Sequence, residues 1–409
     1  MKPKLVVATS FGVHPPKGGG QSRVAGLYGA LARLGVEIEI VSLVGRTDRD
    51  GWIDPAPGVR ELRVPRTPEH ESADWRLNQL VGVPIGDVGL ALNHARTPAY
   101  AEAVAACAAD AQAVVACHPY ALPVLEPLGL PVIYEAQDVE ADLKGAMYAE
   151  TPDGPELAQQ VREVEAACCA VAHHVLVCAA RDGARLGELY GVAPERVLEV
   201  PNGADPATIP FTSLARRRAR VRELGLQDRM TALFVGSWHE PNLVAIRDLL
   251  QIAEELDEAG VRVLVCGSAG LAFADYGIPG NIDLCGVVDD AFLGSLLGLA
   301  DVALNPMRSG SGSNLKMLDY ALGGVPLVSS TFGARGFDVE PGTHYLPAEP
   351  EELPTVLAAL HDEPFAITET RVATARDHVE TRFSWERIAA GWHASPALQS
   401  LFGPVEVPS

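Results

Sequence analysis

The stretch Ser309-Gly310-Ser311-Gly312-Ser313-Asn314-Leu315-Lys316-Met317-Leu318-Asp319-Tyr320 is a glycine-rich loop running straight into a helical pattern. A helix N-terminus carries unpaired backbone N–H groups and a partial positive charge, so it favours a phosphate. Gly310 and Gly312 let the backbone approach such an anion, with N–H groups near Ser313 and Asn314, and Lys316 adds a full charge. Asp319 follows Lys316 by three residues on the same helix face, where a carboxylate suits the hydroxyls of a ribose. The competing reading is a plain helix start with a solvated Lys/Asp pair. No Gly-Lys-Ser/Thr follows the glycines, so the loop is not a P-loop.

Working outward, strand and helix patterns alternate along the chain. Leu5-Val6-Val7-Ala8 reads as a buried strand, followed by Gly18-Gly19-Gly20 and a helix from about Ser22 to Leu34. Further strands fall at residues 36–41, 113–116, 132–134 and 175–177, then 233–236, 263–266, 281–284, 302–304 and 327–330. This alternation predicts an α/β fold with parallel sheets covered on both faces. A Pro/Gly/Thr/Ser-rich stretch from Pro201 places a boundary there, giving domains over residues 1–205 and 206–385 and a helical tail over 386–409. Two Rossmann-like, doubly wound domains of this kind bind ligands at the carboxyl ends of their strands, and facing each other they enclose a cleft.

Composition narrows the classes. At 409 residues the chain exceeds one hydrophobic core. A net charge of −21 argues against nucleic acid and against a broad anionic membrane footprint. The seven cysteines form no C-x-x-C pair and no zinc spacing, and read as buried thiols in a reducing cytoplasm. The N-terminus has no signal-peptide pattern, and no apolar run reaches the ~18 residues of a membrane span. A cytoplasmic protein is expected. High Ala, Gly and Pro with Arg favoured over Lys points to a bacterial source with a GC-rich genome.

With these elements in order, the chain resembles the retaining glycosyltransferases of GT-B fold, family 4. The resemblance is carried by Gly18-Gly19-Gly20, His118-Pro119, Val200-Pro201-Asn202-Gly203 and Phe234-Val235-Gly236-Ser237. Asn281-Ile282-Asp283-Leu284-Cys285-Gly286, the stretch over 314–326 and Phe383-Ser384-Trp385-Glu386 complete it. It implies an N-terminal acceptor-binding domain, a C-terminal domain for a nucleotide sugar, and a terminal helix that crosses back to the first domain. It also implies hexosyl transfer without a bound metal or other cofactor. Departures accompany it: the family's paired glutamates eight positions apart read Ser311 and Asp319 here. The Arg/Lys pair after the first strand of the second domain is replaced by Gly236-Ser237-Trp238-His239-Glu240-Pro241-Asn242.

The resemblance implies donor contacts from Gly18, Gly19, Gly20, Ser237, Ser311, Gly312, Ser313, Asn314 and Asp319, with Lys316 stabilising the leaving diphosphate. His118, at a strand's carboxyl end, is a candidate against the donor sugar, and Glu140 a candidate for ordering the acceptor or the cleft. Glu135 and Asp138 lie in the same segment, for which a solvated loop is an equal reading. His173 and His174 read as structural. The acceptor is expected to be a secondary metabolite, another small molecule or a glycan, and a homodimer is left open. A catalytically silent GT-B partner, a nucleotide-sugar epimerase and a phosphorylase remain alternatives. A nicotinamide dehydrogenase is disfavoured, because no G-x-G-x-x-G follows the first strand.

Overall fold

A computed structural model describes residues 2–83, 85–310 and 313–402. The chain divides into two compact units: Met1–Asn202 together with Trp385–Ser409, and Gly203–Ser384. Each is described by itself.

The first unit is built on the strands β1 (Lys4–Thr9), β2 (Glu37–Val44), β3 (Gly51–Ala56), β4 (Val59–Pro65), β5 (Ala113–Cys117), β6 (Val132–Ala136), β7 (His174–Val177) and β8 (Val197–Glu199). Their order across the sheet is β3-β4-β2-β1-β5-β6-β7-β8. All pairings are parallel except β3 with β4, an antiparallel hairpin turned at Gly58, where φ is +79°. That edge departs from the wholly parallel sheet expected. Its sequence, with Pro55 inside β3 and Arg60, Glu61 and Arg63 inside β4, hides it from a hydrophobic-run reading. The central strands are buried on both faces, which is why they read as continuous apolar runs.

The second unit contains β9 (Met230–Val235), β10 (Val261–Cys266), β11 (Ile282–Gly286), β12 (Val302–Asn305), β13 (Leu327–Ser329) and β14 (Leu346–Pro347) in the order β11-β10-β9-β12-β13-β14. Every pairing is parallel. Side-chain alternation divides each strand between two cores. Phe234, Val263 and Val265 join one, and Leu233, Leu264 and Cys266 the other. Two such α/β units are what the GT-B resemblance implied. Among the described residues, no helix is long and apolar enough to cross a membrane. All seven cysteines are free, and all but Cys285 are buried.

The C-terminal segment packs onto the first unit, also as the resemblance implied. Trp385 and Trp392 of the helix Trp385–His393 are buried, and Trp392 meets Tyr28 edge-on with ring centroids 5.8 Å apart. Trp385 lies over Gly26 of the helix Gly19–Arg33, where any Cβ would overlap its indole. Gly26→Val should therefore lower the free energy of unfolding by about 1–3 kcal/mol and expose the C-terminal segment to limited proteolysis. An unchanged urea midpoint with an uncut segment would show that this helix has room to spare.

Candidate active site

In the first unit the candidates cluster at the carboxyl ends of β1 and β5. Gly18 is the N-cap of the helix Gly19–Arg33 and offers no side-chain cap, which leaves the first-turn N–H groups uncapped by any side chain of their own loop end. A Cβ on Gly20 would lie 2.7 Å from Gln137 Oε1, so glycine there also serves packing. The preceding loop is pinned by Glu61 of β4, which accepts from Val13 N–H at 2.9 Å and His14 N–H at 3.0 Å. Burial alone would raise the Glu61 carboxyl. These bonds, with His14, Arg63 and Ser42, instead hold it at about 2. Glu61 was not legible as a site-building residue, because a charged residue in an alternating strand reads as solvent-facing.

His118 occupies a backbone conformation that side chains rarely adopt, with φ +64°. Its Nδ1 lies 2.6 Å from Glu140 Oε1, its ring stacks on Tyr120, and Phe11 meets it edge-on at 6.0 Å. The side chain is 14% exposed, against 1% for Glu140. Glu140 is thus buried behind His118, with its second oxygen taken by Tyr120 Oη at 2.7 Å. Both oxygens thus have partners inside the unit, which sets Glu140 as the positioning residue behind His118. Glu165 anchors this arrangement by accepting from the N–H groups of Glu140 and Ala141 at 2.8 and 2.9 Å. Glu135 is buried on Arg23 and Tyr28, an internal partner rather than a solvated loop residue. His173 and His174 touch each other, and burial pushes His174 down to about 4.

Burial would lower the His118 pKa, yet the bond to Glu140 and its charge raise it above 6.5. The Glu140 carboxyl is drawn below its usual range by the same bond, against burial. A raised histidine stabilises the fold below 6.5 and loses that contribution as pH climbs through its folded pKa. A lowered carboxylate contributes above 4.5 and loses it as pH falls. The pair therefore contributes fully between pH 4.5 and 6.5. Glu140→Gln should cost about 1–3 kcal/mol in that window and drop the His118 ring titration below its ordinary value, read by NMR. An unmoved titration would remove Glu140 as its positioning residue.

In the second unit the candidates gather at the carboxyl ends of β9 and β12. Gly236 follows β9 so closely under Gly267 that a Cβ on Gly267, at φ +102°, would overlap the Gly236 carbonyl. Ser237 is exposed, and its carbonyl accepts from Asn242 Nδ2 at 2.9 Å. Asn242, in the first turn of the helix Glu240–Gln251, turns its Oδ1 to Lys316 Nζ at 2.7 Å. One buried amide thus joins the Ser237 loop to the lysine. Asn242 was read only as part of a departure from the family pattern, and its pairing with a residue 74 positions away had no sequence signal.

Lys316 and Asp319 lie on the helix Leu315–Leu322, which is tied to β9 by Val235 N–H donating to Tyr320 Oη at 2.8 Å. The Lys316 ammonium also sits 4.2 Å from the centre of the Phe234 ring. Among the described residues no carboxylate pairs with it, and burial pushes it down to about 7. Asp319 likewise has no hydrogen-bond or cationic partner among them, and burial pushes it up to about 7. Asn314 is the N-cap, but its side chain donates to Gly333 O at 3.0 Å instead of capping the helix. Ser313 is half-buried just ahead of it. Ser311 and Gly312 lie outside the described residues. Among the described residues, no group of three or more His, Cys, Asp or Glu could hold a metal ion.

Known proteins share these patterns. Residues 18–203 match the glycosyl transferase 4-like domain, and residues 229–362 match glycosyl transferases group 1. The phosphatidyl-myo-inositol mannosyltransferase of Mycobacterium tuberculosis is 26% identical over 223 residues, covering 52% of this chain and 56% of that protein. The chain thus spans about half the length of the curated relatives it first matches. Among solved structures, the sucrose-phosphate synthase of Thermosynechococcus elongatus superposes with a TM-score of 0.73 at 18% identity, covering 96% of this chain and 97% of that one. Anabaena HepE, in complex with UDP and glucose, gives 0.64 at 15% identity over 95% and 98%.

Proposed function

Because this chain belongs to the GT4-like glycosyltransferases of GT-B fold, we propose that it moves a sugar from a nucleoside-diphosphate sugar to a hydroxyl acceptor, with retention at the anomeric carbon. The acceptor in this reading is a small molecule or a glycan. The observation that carries it is the pair Lys316 and Asp319 on one short helix: among the described residues, an ammonium without a carboxylate and a carboxylate without a cation. A ligand with a diphosphate beside a ribose satisfies both. The phosphates supply the anion that Lys316 lacks, and the ribose hydroxyls donate to Asp319.

In the transfer, the donor C1–O bond breaks and its electron pair leaves on the phosphate oxygen. The acceptor oxygen bonds to C1 on the same face, and its proton passes to that phosphate oxygen. Charge developing on the leaving group is met by Lys316, the Ser237 hydroxyl and the backbone N–H groups at Ser313 and Asn314. In this reading Lys316 and the helix start take the part that a divalent metal plays elsewhere. The first unit's own candidates are the Gly18-Gly19-Gly20 helix start, with its N–H groups, and His118, positioned by Glu140.

The first test is thermal: UDP, GDP, ADP, TDP and CDP, with UDP first in view of the Anabaena neighbour. A ligand at 100 times its Kd adds ~2.7 kcal/mol of stability. Proton exchange is more specific to the two side chains. A phosphate raises the Lys316 pKa from about 7, so a nucleotide sugar binding at pH 8 takes up about one proton. Ribose hydroxyls lower the Asp319 pKa from about 7, so binding at pH 6 releases about one. Calorimetry in two buffers reads both, and Lys316→Ala and Asp319→Ala should each erase one. Tight binding with neither exchange would place the ligand elsewhere. Lys316→Ala should also slow transfer on the order of 10²-fold, whereas full retained turnover would remove its leaving-group role.

A further inference from the structure

We propose that Cys266 and Cys285 form a thiol pair that a hydroperoxide closes into a disulfide, with Cys285 the sulfur oxidised first. The inference is independent of the nucleotide-sugar reading. Cys266 ends β10, and Cys285 lies in β11, its parallel neighbour. Val265 stands opposite Leu284, and both side chains pack in one core of the second unit. The next residue on each strand turns to the other face: Cys266 is buried in the second core, and Cys285 packs against that same core. Beyond this point the register shifts, so that Cys266 pairs with Gly286 and Cys285 has no opposite residue of its own. The two thiols are hydrogen-bonded to each other. Neighbouring strands lie about 4.8 Å apart, and a disulfide spans Cα separations of about 4.4–6.8 Å, so the bond can close with the strands still paired.

Reactivity separates this pair from the other five cysteines. Cys107, Cys117, Cys168, Cys169 and Cys178 are buried, and burial pushes their thiols up. Cys285 is half-buried, and the thiol that Cys266 donates draws it below the ordinary value. Arg262 adds to that effect, while burial and Asp283 oppose it. Arg262 and Asp283 are themselves paired at 2.5 Å. Cys266 is fully buried, and the same bond raises its thiol, so it keeps its proton. The Cys285 thiolate attacks one peroxide oxygen: the S–O bond forms as the O–O bond breaks, and the departing oxygen takes a proton as water or an alcohol. The Cys266 sulfur then bonds to the Cys285 sulfur. The S–O bond breaks, and hydroxide leaves with the Cys266 proton as water. The two thiols are oxidised, the peroxide is reduced, and a dithiol reverses the bond by exchange. This bond falls beside the Gly236-Ser237 loop, because Cys266 O accepts from Gly236 N–H at 2.8 Å.

The test treats the native full chain with hydrogen peroxide, blocks the remaining thiols in denaturant, and cleaves at Asp275 and Asp283 between the two cysteines. The parent should lose two of its seven thiols, and the fragments bearing Cys266 and Cys285 should stay joined until a dithiol is added. Cys285 should react about tenfold faster than any of the five other cysteines. Cys266→Ala should stop at a sulfenic acid on Cys285, trapped as its dimedone adduct, and Cys285→Ser should leave Cys266 a free thiol. Fragments joined through any other two cysteines overturn the proposal, as does a parent whose Cys285 reaches the sulfinic acid without joining Cys266. A folded Cys266→Ala protein that gives no adduct on Cys285 overturns it as well. So does a folded parent that keeps all seven thiols at a peroxide dose that consumes free cysteine.

Discussion

A parallel sheet collects its loops along one edge. Every strand ends there, and the helix that follows begins there with its N–H groups unpaired. The parallel strands of both units obey that constraint, β3 alone running the other way, and the candidate residues follow from it. Gly18 and His118 stand at the carboxyl ends of β1 and β5, neighbours in the first sheet. Ser237 follows β9, and Lys316 follows the loop after β12, its neighbour in the second. Glycines occur where these loops crowd: Gly267 against the Gly236 carbonyl and Gly310 between Pro241 and Arg335.

The two units handle charge at that edge in opposite ways. In the first, ionisable groups meet internal partners: His118 on Glu140, Glu61 on two backbone amides, and Arg23 on Glu135 and Asn202. Such networks rigidify a loop and fix a side chain's orientation, at the cost of desolvating several charges. In the second, Lys316 rests on a neutral amide and an aromatic ring, and Asp319 has no partner among the described residues. Burial pushes both toward about 7. The family's pattern of paired glutamates and an Arg/Lys pair is only partly present here. In their place the second unit has Lys316 hydrogen-bonded to Asn242.

Much of the architecture was legible because burial on both sheet faces leaves an unmistakable apolar run. The runs at residues 5–8, 113–116 and 302–304 all became strands. The edges were not: β3, β4, β8 and β14 are short, polar or proline-containing, and pairing with a neighbour defines them. Among site residues, Gly18, His118 and Lys316 stand out because they sit at strand ends or in a glycine loop. Glu61 and Asn242 carry no such mark. Each acts on a residue distant in sequence.

By itself the sequence determined the α/β class, the two-part division near Pro201, and the glycine-rich helix start bearing a lysine and an aspartate. These are local or periodic properties, encoded in hydrophobic spacing and in residues that tolerate few backbone conformations. Only the tertiary structure decided which polar groups meet. It set Glu140 behind His118 and Asn242 beneath Lys316. The physical reason is that protonation and charge depend on burial and on partners brought together by chain folding. Neither property belongs to a residue until the sheet and its crossovers have packed.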